Sequence, residues 1–244
     1  MKTMKTKQLL SFAISLTFLL TLQTSCSYGF GGIKGNGNVV KQDRQIGSFS
    51  GLDVGGAFKV FLTQGDNESL VVEADENLLD IITTEVRGNT LVIKTTEDIR
   101  DYEVLNIYLT FKEMDEMEIS GACRLVGENK MKFGNLDLEC SGASDVELKF
   151  SAQKLSLDFS GASQVELYGS AESVELDLSG ASGFDGYDLE ADIYNVDVSG
   201  ASHAKIYVNK ELSAEVSGAA SLKYKGDPVI KEHDVSGAGS MKKY

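Results

Sequence analysis

Acidic side chains recur in this sequence at a fixed offset from a repeated tripeptide. Ser-Gly-Ala begins at Ser120, Ser141, Ser160, Ser179, Ser199, Ser217 and Ser236, and two residues before each serine stand Glu118, Glu139, Asp158, Asp177, Asp197, Glu215 and Asp234. Four before it are Glu116, Asp137, Ser156, Glu175, Asn195, Ser213 and Glu232. If the repeats stack as parallel strands about 4.8 Å apart, these columns become carboxylate ladders. Each neighbouring pair then costs about 1 kcal/mol in water, and several times that at an effective dielectric of about 20, before salt screening. Such a row could bridge calcium, with ligand oxygens near about 2.4 Å. The simpler reading, which we favour, is a solvated face that keeps the protein soluble and blocks lateral pairing. The Gly-Gly-x-Gly-x-Asp calcium repeat is absent, and apart from this calcium alternative no cofactor or metal is expected.

Two further columns carry chemistry. Eight places after the serine lie Tyr168, Tyr187, Tyr207 and Tyr244, with Lys149 and Lys225 in the same column. Stacked on successive rungs, these rings could form an aromatic strip for sugars or protein partners, or simply stabilise the sheet by cross-strand packing. Six places after the serine, Glu147, Glu166 and Asp185 give way to Lys205, Lys223 and Lys242, so this face is charge-polarised along the stack. The possible contact surface is therefore Asp158, Asp177 and Asp197 with Tyr168, Tyr187 and Tyr207. The repeated serines themselves are poor nucleophile candidates. None sits in Gly-x-Ser-x-Gly, and two histidines, His203 and His233, are too few to serve as their bases.

The elements that hold these columns follow from the spacing. The tripeptide recurs at steps of 21, 19, 19, 20, 18 and 19 residues, and a near-constant step of that size marks a stacked repeat. Residues one and three before the serine are apolar in six repeats, as in Phe159 and Leu157 or Val198 and Val196. Five and seven places after it the pattern returns, as in Val146 and Leu148 or Val165 and Leu167. Alternation of period two puts each set on one face of a strand. Each repeat is thus two short strands joined by a small-residue corner, and one copy cannot bury its own apolar face until it stacks on others. The predicted fold is all-β: a parallel β-solenoid, or β-helix, with rungs of about 19 residues, right-handed as β-crossovers generally are. In the last repeat Lys231, His233 and Lys243 occupy positions that are apolar elsewhere, which predicts a polar cap over an open edge.

Upstream of residue 116 the turns are spaced less evenly. Residues 46–115 read as irregular rungs, with Gly55-Gly56-Ala57 as a degenerate corner and Asp75 as the N-cap of one helical turn reaching Ile82. Residues 116–244 form the regular part. Lys2, Lys5 and Lys7 precede an apolar run from Leu9 to Leu22, which reads as an export signal over residues 1–25. Cys26 follows it directly, in the place of the lipidated cysteine of a bacterial lipoprotein, although Gln23 stands where such signals usually carry leucine. Residues 26–45, with Gly35-Asn36-Gly37-Asn38, read as tether and glycine-rich linker. Removing residues 1–25 leaves 20 basic against 37 acidic residues, a surface that argues against nucleic acid or anionic lipid as a partner. Cys123 and Cys140 remain, either as buried thiols or as a disulfide.

The chain resembles the auto-transporter adhesin, head GIN domain family of bacterial envelope proteins. The likeness is carried by Gly35-Asn36-Gly37, Phe49-Ser50-Gly51-Leu52-Asp53-Val54, the strand and turn from Phe58 to Gly65, Val72-Glu73-Ala74-Asp75-Glu76-Asn77-Leu78 and the Ser-Gly-Ala series. The resemblance implies a β-solenoid head on an exported lipoprotein or secreted protein. The expected function is non-enzymatic: an adhesin-like or scaffolding protein of the cell envelope, held on the outer membrane through Cys26 and contacting protein or glycan by its solenoid surface. The alternatives are a carbohydrate-binding module or a polysaccharide-active β-helix enzyme.

Overall fold

In the computed structural model, which describes residues 31–244, the chain is built almost entirely of strands. The export signal and Cys26 lie outside the described residues. In order the strands are β1 (Ile33–Lys34), β2 (Val39–Arg44), β3 (Gly51–Gly56), β4 (Lys59–Gln64), β5 (Ser69–Asp75), β6 (Ile82–Arg87), β7 (Thr90–Thr95), β8 (Ile99–Asp101) and β9 (Leu105–Phe111). Then follow β10 (Glu116–Gly121), β11 (Arg124–Gly127), β12 (Met131–Lys132), β13 (Asn135–Cys140), β14 (Asp145–Phe159), β15 (Gln164–Leu178), β16 (Gly183–Val198), β17 (His203–Val216), β18 (Ser221–Lys225), β19 (Val229–Val235) and β20 (Ser240–Lys243).

From β10 onward every pairing is parallel and joins one repeat to the next. β14 to β17 each carry the arm leaving one corner and the arm entering the next. The result is the predicted β-solenoid, with one sheet made of arms that enter the corners and another of arms that leave them. Inward columns such as Met117, Leu138, Leu157, Leu176, Val196 and Ala214 are buried throughout.

The corner sets the register. All seven tripeptide glycines have positive φ, between 66° and 91°, a region in which a side chain is strained. A Cβ on Gly142 would meet the Gly121 carbonyl oxygen at 2.3 Å, and the same clash recurs at Gly161 against Gly142. That closeness is needed because the next residue's N–H must reach the carbonyl below: Ala143 N to Gly121 O and Ala162 N to Gly142 O are both 2.7 Å. Three residues past four of the seven tripeptide serines, Ser144, Ser163, Ser182 and Ser202 are buried in one column. Ser144 and Ser163 donate from Oγ to the carbonyls of Ser141 and Ser160.

The first rung in the sequence is not the first in the stack. β3 and β4 turn at Gly55-Gly56-Ala57, and Gly56 pairs with Gly121 as the degenerate corner predicts. The chain then travels outward, and β7 and β9 pack parallel to β3 and β4 on the side away from β10 and β11. Antiparallel strands close this end: β5 on β9, β2 on β5, and β6 on β7.

Three expectations are corrected here. Most of the stretch expected as tether and linker, residues 26–45, is structural where it is described: β2 is a strand of the cap and β1 pairs with β8. Asp75 precedes a 3₁₀ helix, Glu76–Ile81, but makes no capping bond to it. Its carboxylate is fully buried and accepts from the backbone N–H groups of Gly37, at 2.5 Å, and Glu103, at 2.9 Å. Burial alone would raise its pKa, but the donors of Glu103, Gly37 and Val104 outweigh it and hold the carboxyl below its ordinary value. Asn77 accepts from Asn36 N–H and donates to the Lys34 carbonyl, which pins the same glycine-rich loop. Finally, Lys231 does not point inward. A register shift lets Ile230 take the place opposite Leu212, and Lys231 reaches Glu211 at 3.3 Å.

Candidate functional site

The outward columns are in register as their spacing requires. On the sheet of arms entering the corners, Glu118, Glu139, Asp158, Asp177, Asp197, Glu215 and Asp234 pair one to the next along the stack. Asp53 continues the ladder beyond Glu118. Sequence reading passed over this member, although two residues before Gly55 is the same offset. Lys94 neutralises it at 2.7 Å. Among the described residues no lysine pairs with the later members of the ladder, and the carboxylates feel one another. Partial burial and then the neighbouring charges push Glu139 and Asp177 above the ordinary carboxylate value, from Asp137, Asp158, Glu118 and Glu116 for the first and Asp197, Asp158 and Glu175 for the second. Among the described residues, no three His, Cys, Asp or Glu side chains converge in a metal-holding cluster.

The sheet of arms leaving the corners is different. Its central outward column runs Phe61, Val126, Glu147, Glu166, Asp185, Lys205, Lys223 and Lys242. The sign changes between Asp185 and Lys205, which meet at 2.6 Å. At the far end Phe61 stacks on Tyr108 with centroids 5.0 Å apart, and Lys41 lies 4.6 Å from the Tyr108 ring.

The tyrosines do not make one continuous strip. Tyr168 is opposite Lys149 and Asp188, and Tyr207 is opposite Lys225. β16 bulges between Gly186 and Glu190, and Tyr187 lies in that bulge, out of the column. Its ring instead meets Tyr244 at 5.3 Å, with the Lys225 ammonium 4.3 Å from its centroid and that of Lys205 at 5.6 Å. Tyr168 turns its hydroxyl to Glu166 at 2.9 Å. A one-residue insertion, visible as the 20-residue step between Ser179 and Ser199, is the sequence signal for this displacement.

Cys123 and Cys140, the two cysteines among the described residues, are free and buried. Burial raises both thiols, Cys140 to about 12 with Cys123 adding to the shift, so neither is a reactive thiolate at neutral pH.

Fold and faces together define a class: a capped parallel β-solenoid that presents charged columns on the arms entering and leaving its corners. The match to the family model "Putative auto-transporter adhesin, head GIN domain" covers residues 48–228, and the chain belongs to that family. The structure is similar to a putative adhesin from Bacteroides fragilis, with TM-score 0.82 and 24% identity over 87% of this chain and all of that one. It is also similar to a putative lipid binding protein from Parabacteroides distasonis, with TM-score 0.70 and 21% identity over 87% of this chain and 99% of that one. A putative adhesin from Parabacteroides merdae matches with TM-score 0.69 and 18% identity, over 87% of this chain and 98% of that one. At these identities the likeness is one of fold. No curated protein matches the chain.

Proposed function

We propose that this chain is an exported, lipid-anchored protein of the cell envelope that acts by surface contact, as an adhesin-like or scaffolding head, and not as an enzyme. The observation that carries this reading is the acidic ladder, one outward carboxylate per rung in register from Asp53 to Asp234. A hydrolase needs one carboxyl driven up and a partner held down, whereas Glu139 and Asp177 shift in the same direction within a row of like neighbours. A periodic face of that kind suits multivalent contact with an extended partner. Membership of an adhesin family supports the same reading. Cys26, directly after the apolar run, is the residue to which the anchor is assigned.

Fractionation and protease treatment of whole cells test this. The wild-type protein is expected in the membrane fraction and accessible to external protease, while Cys26→Ser is released from the membrane. Unchanged fractionation of Cys26→Ser would remove the anchor. Full protection of the wild-type protein on intact cells would remove the adhesin reading.

A further inference from the structure

The last three rungs carry a patch that neither the family nor the acidic ladder explains. The arms leaving their corners present His203, Lys205 and Tyr207, then Ser221, Lys223 and Lys225, then Ser240 and Lys242, with Tyr244 following at the end of the last arm. None of these outward positions is acidic, in a chain whose acids exceed its bases by 14. Two carboxylates beside the patch are already partnered, Asp185 with Lys205 and Asp227 with Lys243, and Glu190 borders it opposite Tyr207. Lys223, Lys225 and Lys242 form no ion pair among the described residues, and Lys223 stands in register between Lys205 and Lys242. A stack of like charges without counter-charges costs free energy in the isolated protein. An arriving anion would relieve it. Aromatic surface stands beside the cations: Tyr244 is 79% exposed, Tyr207 is half-buried, and Lys225 is held between the Tyr187 and Tyr244 rings at 4.3 and 5.7 Å.

We propose that this face binds an anionic polysaccharide, with acidic groups of the polymer meeting Lys223, Lys225 and Lys242 and a sugar ring lying against Tyr207 or Tyr244. This rests on the surface-contact reading above. Lys223 and Lys242, in one column on successive rungs at a strand spacing of roughly 4.8 Å, with Lys225 two residues along from Lys223, suit a polymer whose charge repeats along its length. Duplex nucleic acid, with one charge per about 1.7 Å of its axis, would bring far denser negative charge toward this acidic molecule than a polymer with one acidic group per sugar. The tyrosines add flat apolar surface of the kind a pyranose ring covers.

Binding of the intact protein to immobilised polygalacturonate, a neutral glucan, polyphosphate and phosphatidylserine-containing vesicles tests the assignment. Polygalacturonate is expected to bind, with affinity falling as salt rises, and the neutral glucan is not. The triple variant Lys223→Gln, Lys225→Gln, Lys242→Gln should weaken polygalacturonate binding by about tenfold, from three exposed charge contacts. Tyr244→Ala should weaken it less. Should the triple variant unfold, Lys242→Glu alone, on the exposed last rung, must still weaken binding. Equal binding by variant and wild type would overturn the proposal. So would polyphosphate or vesicles binding as well as polygalacturonate, since that is general attraction of anions. Protein that is exposed on cells and mediates their attachment, yet ignores polygalacturonate, would end this inference and leave the surface-contact reading standing. Protein that is not exposed at all would end the adhesin reading itself.

Discussion

The two sheets of the solenoid share corners, rung spacing and core, yet their outward faces carry opposite chemistry. The face entering the corners keeps one acid per rung from Asp53 to Asp234. The face leaving them changes from Glu147 through Asp185 to Lys205, Lys223 and Lys242 within the same rungs. The backbone therefore imposes register and leaves the outward residues free. Inward positions answer to packing and the corner to sterics, so variation that alters partners is confined to the outward columns.

Breaking the shared corner should have the largest effect and strike both faces together. In Gly161→Ala the new Cβ meets the Gly142 carbonyl at 2.3 Å in a positive-φ backbone. A loss of roughly 3 kcal/mol or more is expected, read as a lower urea midpoint. A midpoint within error of wild type would show that the corner tolerates a side chain.

Next in size is the contrast between cap and repeats. Asp75→Asn replaces an acceptor-only carboxylate with an amide that must present a donor to N–H groups, at a cost of about 1–3 kcal/mol. The carboxyl pKa is lowered in the folded state, so its contribution is present above the unfolded value near about 3.9 and lost as pH falls through the folded value. Wild type should therefore lose stability on acidification to below about pH 4, and Asp75→Asn should show less of that loss. Parallel stability curves for the two proteins would contradict the assignment.

The acidic ladder predicts the opposite sign. Glu139 and Asp177 have raised folded-state values, so ionising them opposes folding, and the penalty grows as pH rises through the unfolded and then the folded pKa. Glu139→Gln and Asp177→Asn should each stabilise the protein at pH 7 by a few tenths of a kcal/mol after solvent screening. The gain should vanish below about pH 4. Destabilisation at pH 7 would mean that the ladder is held by a bound cation. The smallest expected effect is that of calcium: the melting temperature should be the same in millimolar calcium and in chelator.

Much of this architecture was legible in the sequence because its signals are local and repeated. The tripeptide gives the corner, alternation of period two gives the inward columns, and a fixed offset from the serine gives the acidic ladder. What escaped depends on long-range contacts. Asp75 is 38 residues from Gly37, and nothing local distinguishes a carboxylate that caps its own helix from one buried under a distant loop. The outward excursion that places β7 beyond β3 also leaves no periodic trace. Tyr187 left its column because a bulge in β16 redirected it, and Lys231 was displaced by a single-residue shift in β19. A count of offsets assumes that every rung is in phase, so it fails where one residue is added. The cluster of Tyr187, Lys225 and Tyr244 was hidden for that reason.

The central claim is that outward columns on a rigid solenoid, and not an enclosed catalytic centre, carry the function. Attachment of cells displaying the protein tests it most directly, comparing wild type with two surface variants: Asp158→Asn, Asp177→Asn, Asp197→Asn on one face and Lys223→Gln, Lys225→Gln, Lys242→Gln on the other. Both variants are expected to retain fold and surface exposure, and at least one to lose attachment. Attachment at the wild-type level by both, with fold and exposure intact, would contradict the account.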